Sequence, residues 1–472
     1  MPTLAALRRF SSSAQRLKTG VEILALWRLA WPILVGQLAN VGMSVLDVAM
    51  AGHASAQDLA GVSLGVSIWN MVIITLMGVM MSISPIVAHH VGAHEFNRVP
   101  QVVRQALWKA LGLGLIACLL ANLSSVIFDH LALEPKVRDL AKDFVHITSL
   151  AMPAFACYRV LYGYSASLNQ TKPLMLIAVG ALALNGLVNW LLIFGNLGFP
   201  RLGGLGCAWA TLLCVWFNLL VLLWWMKRSA AYRSSWPFER FEPPDWPQIR
   251  GLLKLGLPIG VTYFAETSAF SLIALLVAQL GSTQVAAHQI ALNFSSLVFM
   301  LPLSLGLAIL TRVGQSLGAG EAGLARFRAW VGVGTALFFA VASASLMMVF
   351  NYQIAAAYTT DFAVASVASQ LLFLAAIFQI SDATQVATAC AIRAYKVTRA
   401  PMVIHLTAFW VFSLPLGYVL GLAPEWMPLR PTPAMGATGF WMALVVGLTV
   451  AALGLTTLLR HVARAHLPCN AQ

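Results

Sequence analysis

Residues 29–52 read LAWPILVGQLANVGMSVLDVAMAG, and the one ionisable side chain among these 24 positions is Asp47. As a helix rising 1.5 Å per residue, the run is about 36 Å long, enough to cross the roughly 30 Å hydrocarbon core of a bilayer. An ionised carboxylate near the bilayer centre costs roughly 2.5 to 3.5 kcal/mol on insertion scales, so a chain that keeps one there is expected to use it on an ion or a substrate. Glu266 and Asp382 lie in equally apolar runs, and few other carboxylates of the chain do.

The same stretch recurs further along. A shift of 226 residues lays 29–95 on 255–321 without a gap: Pro32-Ile33 falls on Pro258-Ile259, Val35 on Val261, Ala39 on Ala265, and GAHE at 92–95 on GAGE at 318–321. A second echo sets TKPLM at 171–175 beside TRAPM near 398–402. The 472 residues are 60% hydrophobic and 10% charged, with a mean hydropathy of +0.81. A dozen apolar runs can be counted, near 26–50, 60–84, 105–128, 143–167, 173–195, 203–226, 252–279, 285–310, 329–350, 363–391, 401–421 and 437–459.

The expected fold is therefore an all-α polytopic membrane protein with twelve transmembrane helices in two six-helix bundles. Because six is even, the halves are parallel repeats related by an axis along the membrane normal. The division expected is an amino-terminal lobe over 1–226, a cytoplasmic linker rich in Pro, Trp and Arg over 227–251, and a carboxy-terminal lobe over 252–472.

Basic residues orient the chain. Of 29 Lys and Arg, about 23 fall in the tails and even-numbered loops, including Arg8, Arg9, Arg16 and Lys18, then Lys227, Arg228, Arg233, Arg240, Arg250 and Lys254. Arg312, Arg326, Arg328, Arg393, Lys396 and Arg399 fall on the same side, against Lys136, Arg138, Lys142, Arg201 and Arg430 on the other. The positive-inside rule then places both termini in the cytosol. The net charge of +13 is a topology signal, and no nucleic-acid partner is needed to explain it. Arg8-Arg9-Phe10 faintly resembles a twin-arginine export signal, but the polar run 11–19 follows it, so a cytosolic basic arm is expected. Cys118, Cys157, Cys207, Cys214 and Cys390 lie in apolar runs without a CxxC pair, and Cys469 lies in the tail, so neither a disulfide nor a zinc site is expected.

The repeat makes the acids asymmetric. Asp47 aligns with Ile273, whereas Glu266 aligns with Asn40, seven residues earlier, which is roughly 10 Å along a helix. The two halves share a scaffold and divide the chemistry.

At this point the residues carry a resemblance. WPIL at 31–34 with VLDVAMAG at 45–52, GGLGCAWAT at 203–211, AAHQIA at 286–291, and FQISDA at 378–383 through RAYKVT at 393–398 resemble the multidrug and toxic compound extrusion (MATE) family, in its NorM-like branch. The likeness covers nearly the whole chain. One departure is Ala394, where the family often has Gly between the Arg and the Tyr.

The resemblance implies a secondary antiporter that exports cationic, amphipathic drug-like molecules by alternating access, in exchange for Na+ or H+ and with no other cofactor. It also implies a monomer in the bacterial inner membrane. Carried over by position, Asp47 is the amino-lobe cation residue with Asn185, Asn189 and Thr211 around it, and Glu266 and Asp382 form a carboxy-lobe cation site that could take Na+. The residues themselves agree in part: Asn185 and Asn189, four apart, share a helix face and offer two amide oxygens to a hard cation or to a protonated carboxyl. Apolar surroundings favour a protonated carboxyl in general and a bound cation favours the ionised one, so either coupling ion is open.

Each polar residue also has a plainer role available. An intramembrane Asn or Thr often bonds across helices, and a buried acid can lock two helices together. Asp361, Gln289, Asn293 and Tyr263 are substrate-contact candidates, against helix-terminal charge for Asp361 and packing for the others; Phe264 and Phe299 could offer ring faces to a cation. GVSLG at 61–65 fits the serine-hydrolase elbow, but its repeat mate AHQIA at 287–291 loses the serine, so small-residue helix packing explains both. His89, His90 and His94 are read as loop histidines, and without a phosphate-cradling G-x-x-x-x-G-K-[ST] run ATP is not the expected energy source. The chain is thus not expected to be an enzyme. The related alternative is a flippase-like exporter of a lipid-linked oligosaccharide, which would want basic groups in the membrane interior, where Arg159 is the main candidate.

Overall fold

The computed structural model describes residues 4–130, 133–424 and 433–467, with side chains from residue 17 onward. Arg430 and Cys469 lie outside the described residues, as do the side chains of Arg8, Arg9, Phe10 and Arg16. Among the described residues there are helices and no strand. In chain order they are α1 (Leu4–Ala54), α2 (Ala56–Met80), α3 (Ile83–Gly92), α4 (Val99–Ser124), α5 (Pro135–Ser149), α6 (Met152–Ser167), α7 (Thr171–Phe194) and α8 (Leu205–Arg228). Then come α9 (Trp246–Val277), α10 (Ser282–Gly318), α11 (Ala322–Val349), α12 (Asn351–Tyr358), α13 (Phe362–Ala394), α14 (Arg399–Leu406), α15 (Leu414–Leu422) and α16 (Ala437–Ala465).

Eleven of the described spans are long and apolar enough to cross a membrane, and a twelfth results if the pair α5 and α6 is one span bent by 45°. The protein is an all-α polytopic membrane protein. The apolar run at 143–167 is not one straight helix, because Pro153 at the start of α6 has no N–H for the carbonyl four residues back and its ring crowds that turn. Pro85 acts likewise after α2, where the chain turns at Met81 and Ser82 before α3. Ahead of Pro415, residues 407–413 widen into a π-helical segment between α14 and α15. The basic arm is helical as well: α1 begins at Leu4, far ahead of the first apolar run.

The described chain forms two compact units. Of the described residues, unit one comprises those within 4–34, 269–397, 403–424 and 433–467, and unit two those within 35–130, 133–268 and 398–402. In unit one, α13 packs against α10, α11, α12 and α16. Its buried face carries Ala365, Ala368, Ala375, Ala376, Ala383 and Ala387, small side chains that let helices approach where lipid gives no hydrophobic drive to associate. Phe378, Phe440 and the fully buried Trp441 fill the space left, with the Phe378 and Trp441 rings edge to face at 5.8 Å.

Unit two packs α2 against α5, α4 against α6 and α7 against α8. Gly206 permits the last pairing, since a Cβ there would stand 2.8 Å from the backbone nitrogen of Ile193. The stretch 229–245 is fastened to this unit: the buried Tyr164 hydroxyl donates to the Ser235 carbonyl at 2.7 Å, and Arg104 donates to Glu242 at 2.6 Å.

Candidate cation site

Within unit two, α7, α8 and the second half of α1 converge on Asp47, which is buried near the end of α1. From α7, Asn185 and Asn189 donate their amides to Asp47 Oδ1 at 3.0 and 2.6 Å. Asn189 also donates to Asn185 Oδ1 at 3.2 Å, so the pair one turn apart acts as a single fork. From α8, Thr211 donates to Asp47 Oδ2 at 3.3 Å, and the Cys207 thiol donates to the Asp47 backbone carbonyl at 3.4 Å. Cys207 and Thr211 are themselves four apart, and the Gly206 contact with α7 brings that face of α8 into reach.

The oxygens are unequally used. Asp47 Oδ1 takes two amide donors, while Oδ2 takes one long bond from Thr211. Asn189 Oδ1 is buried and has no hydrogen-bond partner among the described residues. A carboxylate oxygen, an amide oxygen and a hydroxyl in one buried cluster form the all-oxygen donor set that a hard cation takes. The structure thus brings Asp47, Asn185, Asn189 and Thr211 into one cluster.

The other acids are placed differently. Asp382 is buried on α13 in unit one and accepts from the Gln385 amide at 3.0 Å, whose Oε1 meets His405 Nε2 at 2.6 Å. Glu266 is half-buried on α9 in unit two. Asp361 caps α13, accepting from the backbone N–H of Ala363 at 2.8 Å and Val364 at 3.3 Å, as a helix-terminal carboxylate does. Gln289 and Asn293 sit exposed one turn apart on α10, and the Tyr358 hydroxyl donates to Asn293 Oδ1 at 3.3 Å. Tyr263 is half-buried on α9; His89 and His90 are not loop residues as expected but lie half-buried in the last turn of α3, with only His94 beyond it, and His90 pairs with Glu95 at 2.9 Å.

Two buried charges escaped the sequence reading. Lys109 on α4, buried in unit two, donates to Ser82 Oγ at 2.7 Å and to the Val79 carbonyl at 3.2 Å. It thereby serves the backbone freed by the break between α2 and α3. In unit one, Glu22 on α1 accepts from Arg312 Nη2 at 2.6 Å and Arg328 Nε at 3.2 Å, joining α1 to α10 and α11. The clustering of basic residues signalled topology and hid this use of Arg312 and Arg328.

The family model described as MatE matches residues 32–191 and 258–419. The chain belongs to the MatE family. The two matched stretches begin 258 − 32 = 226 residues apart, the offset at which the sequence repeats itself. The transporter is 44% identical over 449 residues to the multidrug resistance protein PmpM of Pseudomonas aeruginosa, covering 95% of this chain and 93% of that one. It is 42% identical over 440 residues to the probable multidrug resistance protein NorM of Chromobacterium violaceum, covering 93% and 94%. Among solved structures, the eukaryotic MATE transporter AtDTX14 superposes with a TM-score of 0.85 over 95% of this chain and 98% of that one, at 19% identity, a likeness of fold. The family consists of transporters, and this chain is not an enzyme.

Proposed function

We propose that this transporter is a secondary active multidrug efflux antiporter, working by alternating access and exporting cationic amphipathic compounds in exchange for Na+ or H+. The observation that carries this reading is the cluster around Asp47: a buried carboxylate held by two amides and a hydroxyl, with oxygen capacity left over at Oδ2 and at Asn189 Oδ1. The names of the relatives support drugs as the cargo.

In this reading Asn185 and Asn189 hold one carboxylate oxygen fixed and leave the other to the coupling ion. If the ion is Na+, Asp47 Oδ2, Thr211 Oγ and Asn189 Oδ1 are the oxygens that would bind it; if it is H+, Asp47 Oδ2 takes the proton. Each unit charge entering down a 100 mV potential supplies about 2.3 kcal/mol, which is enough to drive a modest drug gradient per ion. Asp382 and Glu266 are proposed to act on cations as well, each within its own unit, with Gln385 holding Asp382 in place. Substrate contact is proposed for Gln289, Asn293, Tyr263 and Asp361. The protein is proposed to act as a monomer in the bacterial inner membrane, with both termini cytoplasmic as the distribution of basic residues favours.

Drug resistance in an export-deficient host tests the proposal. Asp382→Asn and Glu266→Gln should abolish resistance at unchanged expression, and wild-type resistance in both would remove these acids from the coupling machinery.

A further inference from the structure

A cavity of about 340 Å³ lies in unit two, away from the Asp47 cluster, and Leu107, Leu111, Leu161, Leu219 and Leu223 are among its lining residues. Its walls come from the first turns of α4, the middle of α6 and the last turns of α8, and the stretch 237–242 lines its mouth. On α4 the lining runs from Arg104 to Leu111, about 10 Å along the axis, and Arg104 immediately precedes the apolar run at 105–128, so the cavity extends from that end of the run into it.

The end at 237–242 carries the charge. Arg104 and Arg240 line it against a single carboxylate, Glu242, leaving one net positive charge. Arg104 is engaged by Glu242 at 2.6 Å and the Pro237 carbonyl at 3.0 Å, yet its Nε is buried with no partner among the described residues. Arg240 is exposed at the mouth. Aromatic side chains flank it: Trp108 donates to the Glu242 carbonyl at 2.9 Å and meets Phe241 edge to face, while Phe238, Phe241 and Trp246 are exposed, as side chains anchoring at a membrane interface are.

We propose that this cavity is a binding site for one anionic phospholipid of the leaflet on the side of the 229–245 stretch. An acyl chain occupies the leucine-lined interior, and the headgroup phosphate lies against the exposed Arg240. The sign of the charge excludes a cationic drug as the preferred occupant, and the length of the apolar wall excludes a free anion, which would have no use for it. Basic clusters beside membrane helices attract anionic headgroups by about a factor of five per charge. The bound lipid would fasten 229–245 to α4, alongside the Arg104 and Gln105 contacts already present.

Native mass spectrometry of the detergent-purified full chain, titrated with phosphatidylglycerol and with phosphatidylcholine, tests the site. One phosphatidylglycerol should bind in clear preference to phosphatidylcholine. Arg240→Gln should weaken that binding about fivefold, and Leu223→Trp, which fills the cavity, should remove it. Leu107→Trp fills the same space from α4 and serves if the first variant is not monodisperse. Inorganic phosphate should not compete. Equal binding of the two lipids, retention of the tight lipid in a folded cavity-filled variant, or competition by phosphate would each overturn the proposal.

Discussion

Asn189 donates to Asp47 Oδ1 at 2.6 Å, the shortest of the bonds to that carboxylate, while its own Oδ1 is buried without a partner among the described residues. One side chain thus orients the acid and holds an oxygen in reserve. Asn189→Leu keeps the volume and removes both functions. We expect a fall of about tenfold in gradient-driven efflux, equivalent to about 1.4 kcal/mol, at unchanged expression. Asn185→Leu, which leaves the 2.6 Å bond in place, should cost less. Equal rates for wild type and Asn189→Leu in a dye-efflux assay would mean that Asn189 only packs.

The Glu22 cluster makes a contrasting prediction. Its carboxylate is buried and serves two guanidinium groups, so Glu22→Gln leaves Arg312 and Arg328 without their counter-charge. Breaking a buried pair by removing one partner costs about 3 to 5 kcal/mol; partial exposure of the two arginines lowers the figure to about 2 kcal/mol here. Thermal unfolding in detergent should show a clear loss, and the choice of coupling ion should be unchanged. A shift in ion preference would assign Glu22 to the transport cycle.

Lys109 should tolerate loss of its charge better than Glu22 does. Ser82 Oγ also donates to the Val79 carbonyl at 3.1 Å, so Lys109→Met leaves that carbonyl served and exchanges a buried ammonium for an apolar chain of similar length. We expect a stability change within about 1 kcal/mol. Lys109→Glu, which sets an acid against the same carbonyl, should fail to fold. A large loss in Lys109→Met, measured by thermal unfolding, would show that the ammonium itself holds the helix break.

What the sequence made legible followed from periodicity. Asp47 stands out because nothing else in 29–52 is charged, and Asn185 with Asn189 can be paired by spacing alone. That both pair with Asp47, 138 and 142 residues away in the chain, needed the resemblance and then the structure. Lys109 was hidden because one charge hardly moves the mean hydropathy of a long apolar run, and Glu22 because it lies just ahead of the apolar run at 26–50, where charges are ordinary. The bend at 150–151 was foreshadowed by Pro153, although Pro32, Pro258 and Pro302 sit inside continuous helices, so a proline alone does not fix a break. Asp361 could be read as a cleft charge or a helix terminus, and the structure gives it cap bonds that spacing could not reveal.

Efflux of ethidium from proteoliposomes, under an imposed Na+ gradient and then under a pH gradient, tests the coupling role of Asp47 most directly. Wild-type protein should respond to at least one gradient by about tenfold or more over the gradient-free rate, and Asp47→Asn should abolish that response while remaining folded. Gradient-driven efflux at the wild-type rate in Asp47→Asn would contradict it.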